Sequence, residues 1–225
     1  MIINSEYVDL PVEGSPMRTL VAAPKEAGRY PGIVFYSDIF QLTGPMLRSC
    51  ARLAGYGFVV AAPEIYHRRE APGIAIPFDD AGRTRGMEDA TQTPVAHFDA
   101  DCRAALAYLA AHPLVAPGQL GAAGFCLGGH LSFRAALQPG VRAAVCCYGD
   151  RHPQWSAGQR SRRWLAAAGR ADQRGGVADL GGTRSAYSGR GTGNHRKRAA
   201  GRRLRHVILL KSRTRTGCLR WNWNA

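Results

Sequence analysis

The sequence predicts an α/β fold: a mostly parallel sheet with flanking helices. Three observations lead there. Apolar runs of strand length alternate with helix-length segments through the first 150 residues, the pattern of β-α-β units with right-handed crossovers. The chain has 225 residues, 45% of them apolar, which suits one domain with a full core. A cysteine flanked by glycines stands where a strand-like run meets a helical one, at Gly124-Phe125-Cys126-Leu127-Gly128-Gly129.

The elements follow in order. Val8 to Val12 and Arg18 to Ala23, joined through Gly14, predict a hairpin. Gly32 to Tyr36 predicts the next strand, and Pro45 to Ala54 a helix with Leu47, Ala51 and Leu53 facing inward. Gly57 to Ala62 returns to strand. Glu70 to Asp89 is rich in Pro, Gly and charge and is expected to be a long loop near the rim of the candidate site. Pro94 to Ala111 carries Phe98, Cys102, Ala105 and Leu109 at helical spacing, Gln119 to Gly124 reads as a buried strand, Gly128 to Leu137 as a helix, and Val141 to Tyr148 as a strand. Beyond Gly149 the pattern fails, so the expected division is a domain over 1–149 and a basic, low-order tail over 150–225.

The glycine-flanked cysteine carries the chemistry. Its context, strand, sharp turn and helix, is that of the G-x-S-x-G nucleophile elbow with Cys in place of Ser. Small neighbours let a strained turn pack, and the helix N-terminus favours negative charge on a thiolate and on a developing oxyanion. The plain alternative is a buried cysteine before a glycine-rich turn. His130 lies on the following helix, where its side chain is expected to point away from a nucleophile exposed above the turn.

Three blocks make residues from about Tyr7 to Gly149 resemble the dienelactone hydrolase family, within the α/β-hydrolase superfamily. They are Ser37-Asp38-Ile39-Phe40 after the first parallel strand, Gly57-Phe58-Val59-Val60-Ala61-Ala62-Pro63-Glu64-Ile65-Tyr66, and the elbow. The family's first block usually reads Glu-Ile-Phe-Gly, from which this chain departs at Asp38 and Gln41. The resemblance implies hydrolysis of a lactone or ester without a cofactor. It also implies roles: Cys126 as nucleophile, the backbone N–H groups of Leu127 and Ile39 as the oxyanion hole, and Asp38 in the place of the Glu that helps activate the thiol. Asp is one methylene shorter, and its plain alternative is a carboxylate capping the next turn. The family also uses a His as base and an Asp to orient it, and no residue of the tail matches either motif. His67 and Arg68 could border a pocket at a strand's C-terminal edge, and Arg83 and Arg85 could meet a substrate carboxylate, although a solvated face is the plainer reading of both.

The net charge of +14 resembles a nucleic-acid signal until it is divided. Residues 1–150 hold 12 Lys/Arg against 14 Asp/Glu, a balance of −2; residues 151–225 hold 18 against 2, a balance of +16. Such a tail cannot readily bury a core, and only Val207 to Leu210 reads as a strand. It can bind nucleic acid without specificity, which is the competing functional class. A third account is translation out of frame. Arg184 to Gly191 can be encoded so that reading one base later gives Asp-Pro-His-Ile-Pro-Ala-Glu-Gly, which resembles the family's acid loop. The same shift turns Arg213-Thr214-Arg215 into Glu-His-Ala, which resembles its histidine segment, and Asp150 to Trp155 into Thr-Gly-Ile-His-Asn-Gly. The sequence therefore predicts a C-terminal third that is disordered or non-native, and a copy that is inactive because the triad Asp and His are missing. Six cysteines show no metal-ligand spacing and no disulfide framework, and neither a signal segment nor a membrane span is read, so a cytoplasmic enzyme is expected.

Overall fold

The structure, a computed structural model, describes residues 1–148 and two later strands, Val177–Asp179 and His206–Leu210. It opens with a hairpin of β1 (Ile3–Val12) and β2 (Ser15–Pro24), in register from Ile3 opposite Pro24 to Val12 opposite Ser15. Glu13 and Gly14 both have positive φ, 45° and 79°, as a two-residue turn needs if its twist is to match the strands. The remaining elements are β3 (Tyr30–Tyr36), α1 (Gly44–Gly55), β4 (Val59–Pro63), α2 (Asp80–Gln92), α3 (Val95–Ala111), β5 (Val115–Phe125), α4 (Leu127–Ala136), β6 (Val141–Cys147), β7 (Val177–Asp179) and β8 (His206–Leu210).

The strands form one mixed sheet in the order β1-β2-β4-β3-β5-β6-β8-β7, antiparallel from β1 through β2 to β4 and parallel beyond. This is an α/β-hydrolase sheet. Side chains alternate across it, and each face buries its own cluster. On one face Cys50 and Ala54 of α1 pack with Leu20, Ala22, Phe35, Val60 and Ala62. On the other, Phe98, Leu106 and Leu109 of α3 and Leu131 and Phe133 of α4 pack with Val34, Val59, Ala122 and Ala144. Continuous apolar runs such as Val59-Val60-Ala61-Ala62 follow from burial of the parallel strands on both faces.

One expectation is corrected. The second half of Glu70–Asp89 is helical, because α2 starts at Asp80 behind Asp79, whose side chain accepts the Gly82 N–H at 2.7 Å. Its buried positions are Gly82, Gly86, Asp89 and Ala90, so it docks through glycines at close range and shows no apolar stripe. In the tail, β8 coincides with the strand read at Val207 to Leu210 and pairs in parallel with β6, while β7 was not signalled. The expected low-order, out-of-frame character of the rest of 150–225 lies outside the described residues.

Candidate active site

Strand order places the site. From β3 the chain passes through α1 to β4 on one side, whereas β5 pairs with β3 on the other, so β3 and β5 diverge at a topological switch point. Open α/β sheets bind ligands outside the strand C-termini at such a point. Ser37 to Thr43 leave β3 there, and Cys126 leaves β5.

Cys126 has φ 56° and ψ −119°, a conformation that L-residues rarely hold and that persists only where the surroundings enforce it. Its N–H donates to the Cys147 carbonyl at 2.8 Å, and its carbonyl accepts the Gly129 N–H at 3.0 Å. The flanking glycines explain how the turn fits. A methyl on Gly124 would lie 2.4 Å from the Gly128 carbonyl oxygen and 2.8 Å from that of Tyr36; one on Gly128 would lie 2.4 Å from both the Ser37 and Tyr36 oxygens. The start of α4 therefore rests on the end of β3, which brings the elbow beside Asp38 and Ile39. Among the five described cysteines only Cys126 is exposed. Burial pushes the thiols of Cys50 and Cys146 up to about 12 and those of Cys102 and Cys147 up to about 11.

Asp38 is half-buried, and its Oδ1 accepts the Phe40 N–H at 2.9 Å, so the turn-capping role is present. Burial raises its carboxyl above the usual range and outweighs the opposing effect of that hydrogen bond. Leu127 is the first residue of α4, so its N–H has no intrahelical acceptor. The Ile39 backbone lies under α2, where a methyl on Gly86 would come within 2.3 Å of the Ile39 carbonyl oxygen. Tyr66, fully buried, donates its hydroxyl to the Gly86 carbonyl at 3.1 Å. Burial raises its pKa strongly, and the charges of Asp89, Cys126, Asp38 and Glu70 add to the rise, so its ring lies within electrostatic reach of both candidate catalytic groups. Phe40 meets the exposed Phe78 in a tilted ring contact, 4.7 Å between centroids with the planes at 53°.

Sequence reasoning passed over Tyr66, Gln41 and Gly86 as site residues. Gln41 could have been found, because it stands where the resemblance expects glycine. Gly86 offers no such signal within a polar segment. Other candidates turn elsewhere. His67 Nδ1 meets Ser15 Oγ at 3.0 Å and its Nε2 meets Asp101 Oδ1 at 3.1 Å, with the imidazole buried. Arg68 Nη1 is 2.7 Å from the same Asp101 oxygen, so this pair ties the hairpin to α3. Arg85 Nε donates to Glu70 Oε1 at 2.6 Å, and Arg83 lies on the exposed face of α2. His130 is buried on α4. Among the described residues no cluster of three or more His, Cys, Asp or Glu is assembled to hold a metal, and no helix is long and apolar enough to cross a membrane.

The sheet, its switch point and the sharp turn at Cys126 between β5 and α4 are those of the α/β-hydrolase fold. More particularly, the chain belongs to the dienelactone hydrolase family, whose profile matches residues 17–192. It is 37% identical over 153 residues to a Saccharomyces cerevisiae protein named "Putative carboxymethylenebutenolidase", covering 66% of this chain and 56% of that one. It is 33% identical over 123 residues to the carboxymethylenebutenolidase of a Pseudomonas species, covering 54% of this chain and 51% of the other. A solved Klebsiella pneumoniae structure described as a "Putative Dienelactone Hydrolase" superposes with a TM-score of 0.57 at 28% identity, over 65% of this chain and 60% of that one. The chain thus spans little more than half the length of the curated relatives it matches.

Proposed function

We propose that this chain derives from a cytoplasmic hydrolase of lactones or esters in which Cys126 is the nucleophile, and that this copy acylates but turns over poorly. The observation carrying the reading is the backbone of Cys126, an exposed thiol held at φ 56° between two glycines that admit no methyl. The thiolate attacks the carbonyl carbon, and the Leu127 and Ile39 N–H groups receive the developing oxyanion. Collapse of the adduct expels the alkoxide or aryloxide and leaves a thioester on Cys126. Asp38 takes up the thiol proton, a role suited by the proton affinity that burial lends its carboxyl. Hydrolysis of the thioester needs a base to activate water, and in this frame no tail residue matches the family's His or Asp motif. A reducing compartment keeps such a thiol in its working form.

The test is an aryl ester assay on the full chain, Cys126→Ala, and a version whose tail is restored by the one-base shift. The expected result is a stoichiometric burst of phenolate with slow turnover in the chain as given, no burst in Cys126→Ala, and sustained turnover in the restored version. Sustained turnover by the unrestored chain that depends on Cys126 refutes the poor-turnover reading, and a burst that survives Cys126→Ala refutes the nucleophile. The coding DNA decides separately whether a second frame continues the hydrolase.

A further inference from the structure

Three non-glycine residues with positive φ lie beyond the C-terminal ends of β3, β5 and β6: Gln41 at 64°, five residues past β3, and Cys126 at 56° and Tyr148 at 60°, each directly after its strand. Cys126 has been accounted for as the nucleophile's turn. Gln41 stands where the family resemblance expects glycine, the residue that adopts this conformation without steric cost. A side chain retained there must offset the strain, and that of Gln41 is 1% exposed with both ends of its carboxamide occupied. Its Oε1 accepts the Tyr66 N–H at 3.2 Å and its Nε2 donates to the Ile74 carbonyl at 3.0 Å. Beside it the Phe40 carbonyl accepts the Ile76 N–H at 3.0 Å, and the Gln41 carbonyl accepts the Thr43 N–H at 2.9 Å. One buried amide thus joins the segment after β3 to two separate points of the segment after β4.

Ile39 lies two residues before Gln41. Its carbonyl is wedged under Gly86 of α2, and the Tyr66 hydroxyl that donates to Gly86 belongs to the residue whose N–H is bonded to Gln41. The fastenings form a closed path from Ile39 through Gln41 and Tyr66 to Gly86 and back. An oxyanion-hole amide has to be aimed before charge develops, and a misplacement of about 1 Å costs orders of magnitude in rate.

We infer that Gln41 is a positioning residue: its buried carboxamide, bridging Tyr66 and Ile74, holds the Ile39 N–H at the oxyanion of an ester attacked by Cys126. The inference rests on Cys126 being the nucleophile. It differs from a packing role, because the amide matters to acyl transfer, which builds an oxyanion, and not to alkylation, which builds none.

The experiment compares two rates at Cys126 in the full chain and in Gln41→Ala and Gln41→Gly: acylation by p-nitrophenyl acetate, read as the phenolate burst, and alkylation by iodoacetamide, read by peptide mapping. Acylation should fall about tenfold or more in both variants while alkylation stays within about twofold. Gln41→Gly regains the backbone freedom suited to φ 64°, so its melting temperature should exceed that of Gln41→Ala although its acylation is equally slow. Acylation at the parental rate in either folded variant overturns the inference, as does a parallel fall of both rates in Gln41→Gly, which would mark a purely structural residue. A parental burst that survives Cys126→Ala refutes the nucleophile itself, and the role of Gln41 with it.

Discussion

Replacing Gly128 by Ala tests the claim that glycine at the elbow exists to seat α4 on β3. The added methyl would lie 2.4 Å from the carbonyl oxygens of both Ser37 and Tyr36, roughly 0.9 Å inside an ordinary carbon–oxygen contact. Both obstacles are backbone, so no rotamer change relieves them. The start of α4 must lift off the end of β3, and overpacking of this kind costs about 3 kcal/mol, the upper part of the usual range. For a chain of this size that corresponds to a fall in melting temperature of about 6 to 12 °C. Because Leu127 is carried on the displaced turn, acylation of Cys126 should fall by about tenfold or more beyond any loss of folded protein. Gly55→Ala is the control: it ends α1, has a negative φ and has no atom within 4 Å of the added methyl, so it should be neutral or slightly stabilising. Thermal denaturation and the phenolate burst measure the two effects. A Gly128→Ala protein that melts within about 2 °C of the parent, or loses no more than Gly55→Ala does, would refute the close-approach argument.

Among the five described cysteines Cys126 should be the first alkylated by limiting iodoacetamide at neutral pH, since Cys50, Cys102, Cys146 and Cys147 are buried with thiols raised to about 11 or 12; earlier labelling of Cys50 or Cys102 in folded protein would contradict the site. Asp101→Asn should destabilise the fold by about 3 kcal/mol in urea titration, because it strips the carboxylate from the mostly buried Arg68 and from His67; a change below about 1 kcal/mol would show that the hairpin does not depend on this tie. The pH dependence of stability should carry the mark of Glu70, whose carboxyl the Arg85 guanidinium holds below its ordinary value of 4.5. A depressed folded-state pKa gives stability that is present above that ordinary value and is lost as pH falls through the lower, folded one. Arg85→Ala should therefore shift the acid limb of the unfolding profile toward higher pH, and an unmoved acid limb would refute the assignment.

Most of the sheet was legible because burial on both faces leaves a simple trace: Val59-Val60-Ala61-Ala62 is apolar throughout and Val141 to Cys147 is apolar but for Arg142, and such runs are found from composition and length. Helix α2 left no such trace, because Gly82 and Gly86 dock it through the absence of side chains, and composition reads those glycines as loop. The same physics divides the site. Cys126 and its glycines were legible because one turn places the proposed nucleophile, the proposed oxyanion donor Leu127 and the clearance they need in six consecutive residues. The parts that aim them are scattered: Gln41 reaches Tyr66 and Ile74 across 25 and 33 positions, and Tyr66 reaches Gly86 across 20. No local pattern can announce a hydrogen bond whose acceptor is fixed only when three segments have folded against one another. Gln41 did leave one mark, a bulky residue where the family resemblance expects glycine and the turn holds φ 64°, and here the buried bonds of its carboxamide to Tyr66 and Ile74 offset a strain that glycine would not bear. That departure from the family's pattern was readable in the sequence, whereas the partners that explain it were not.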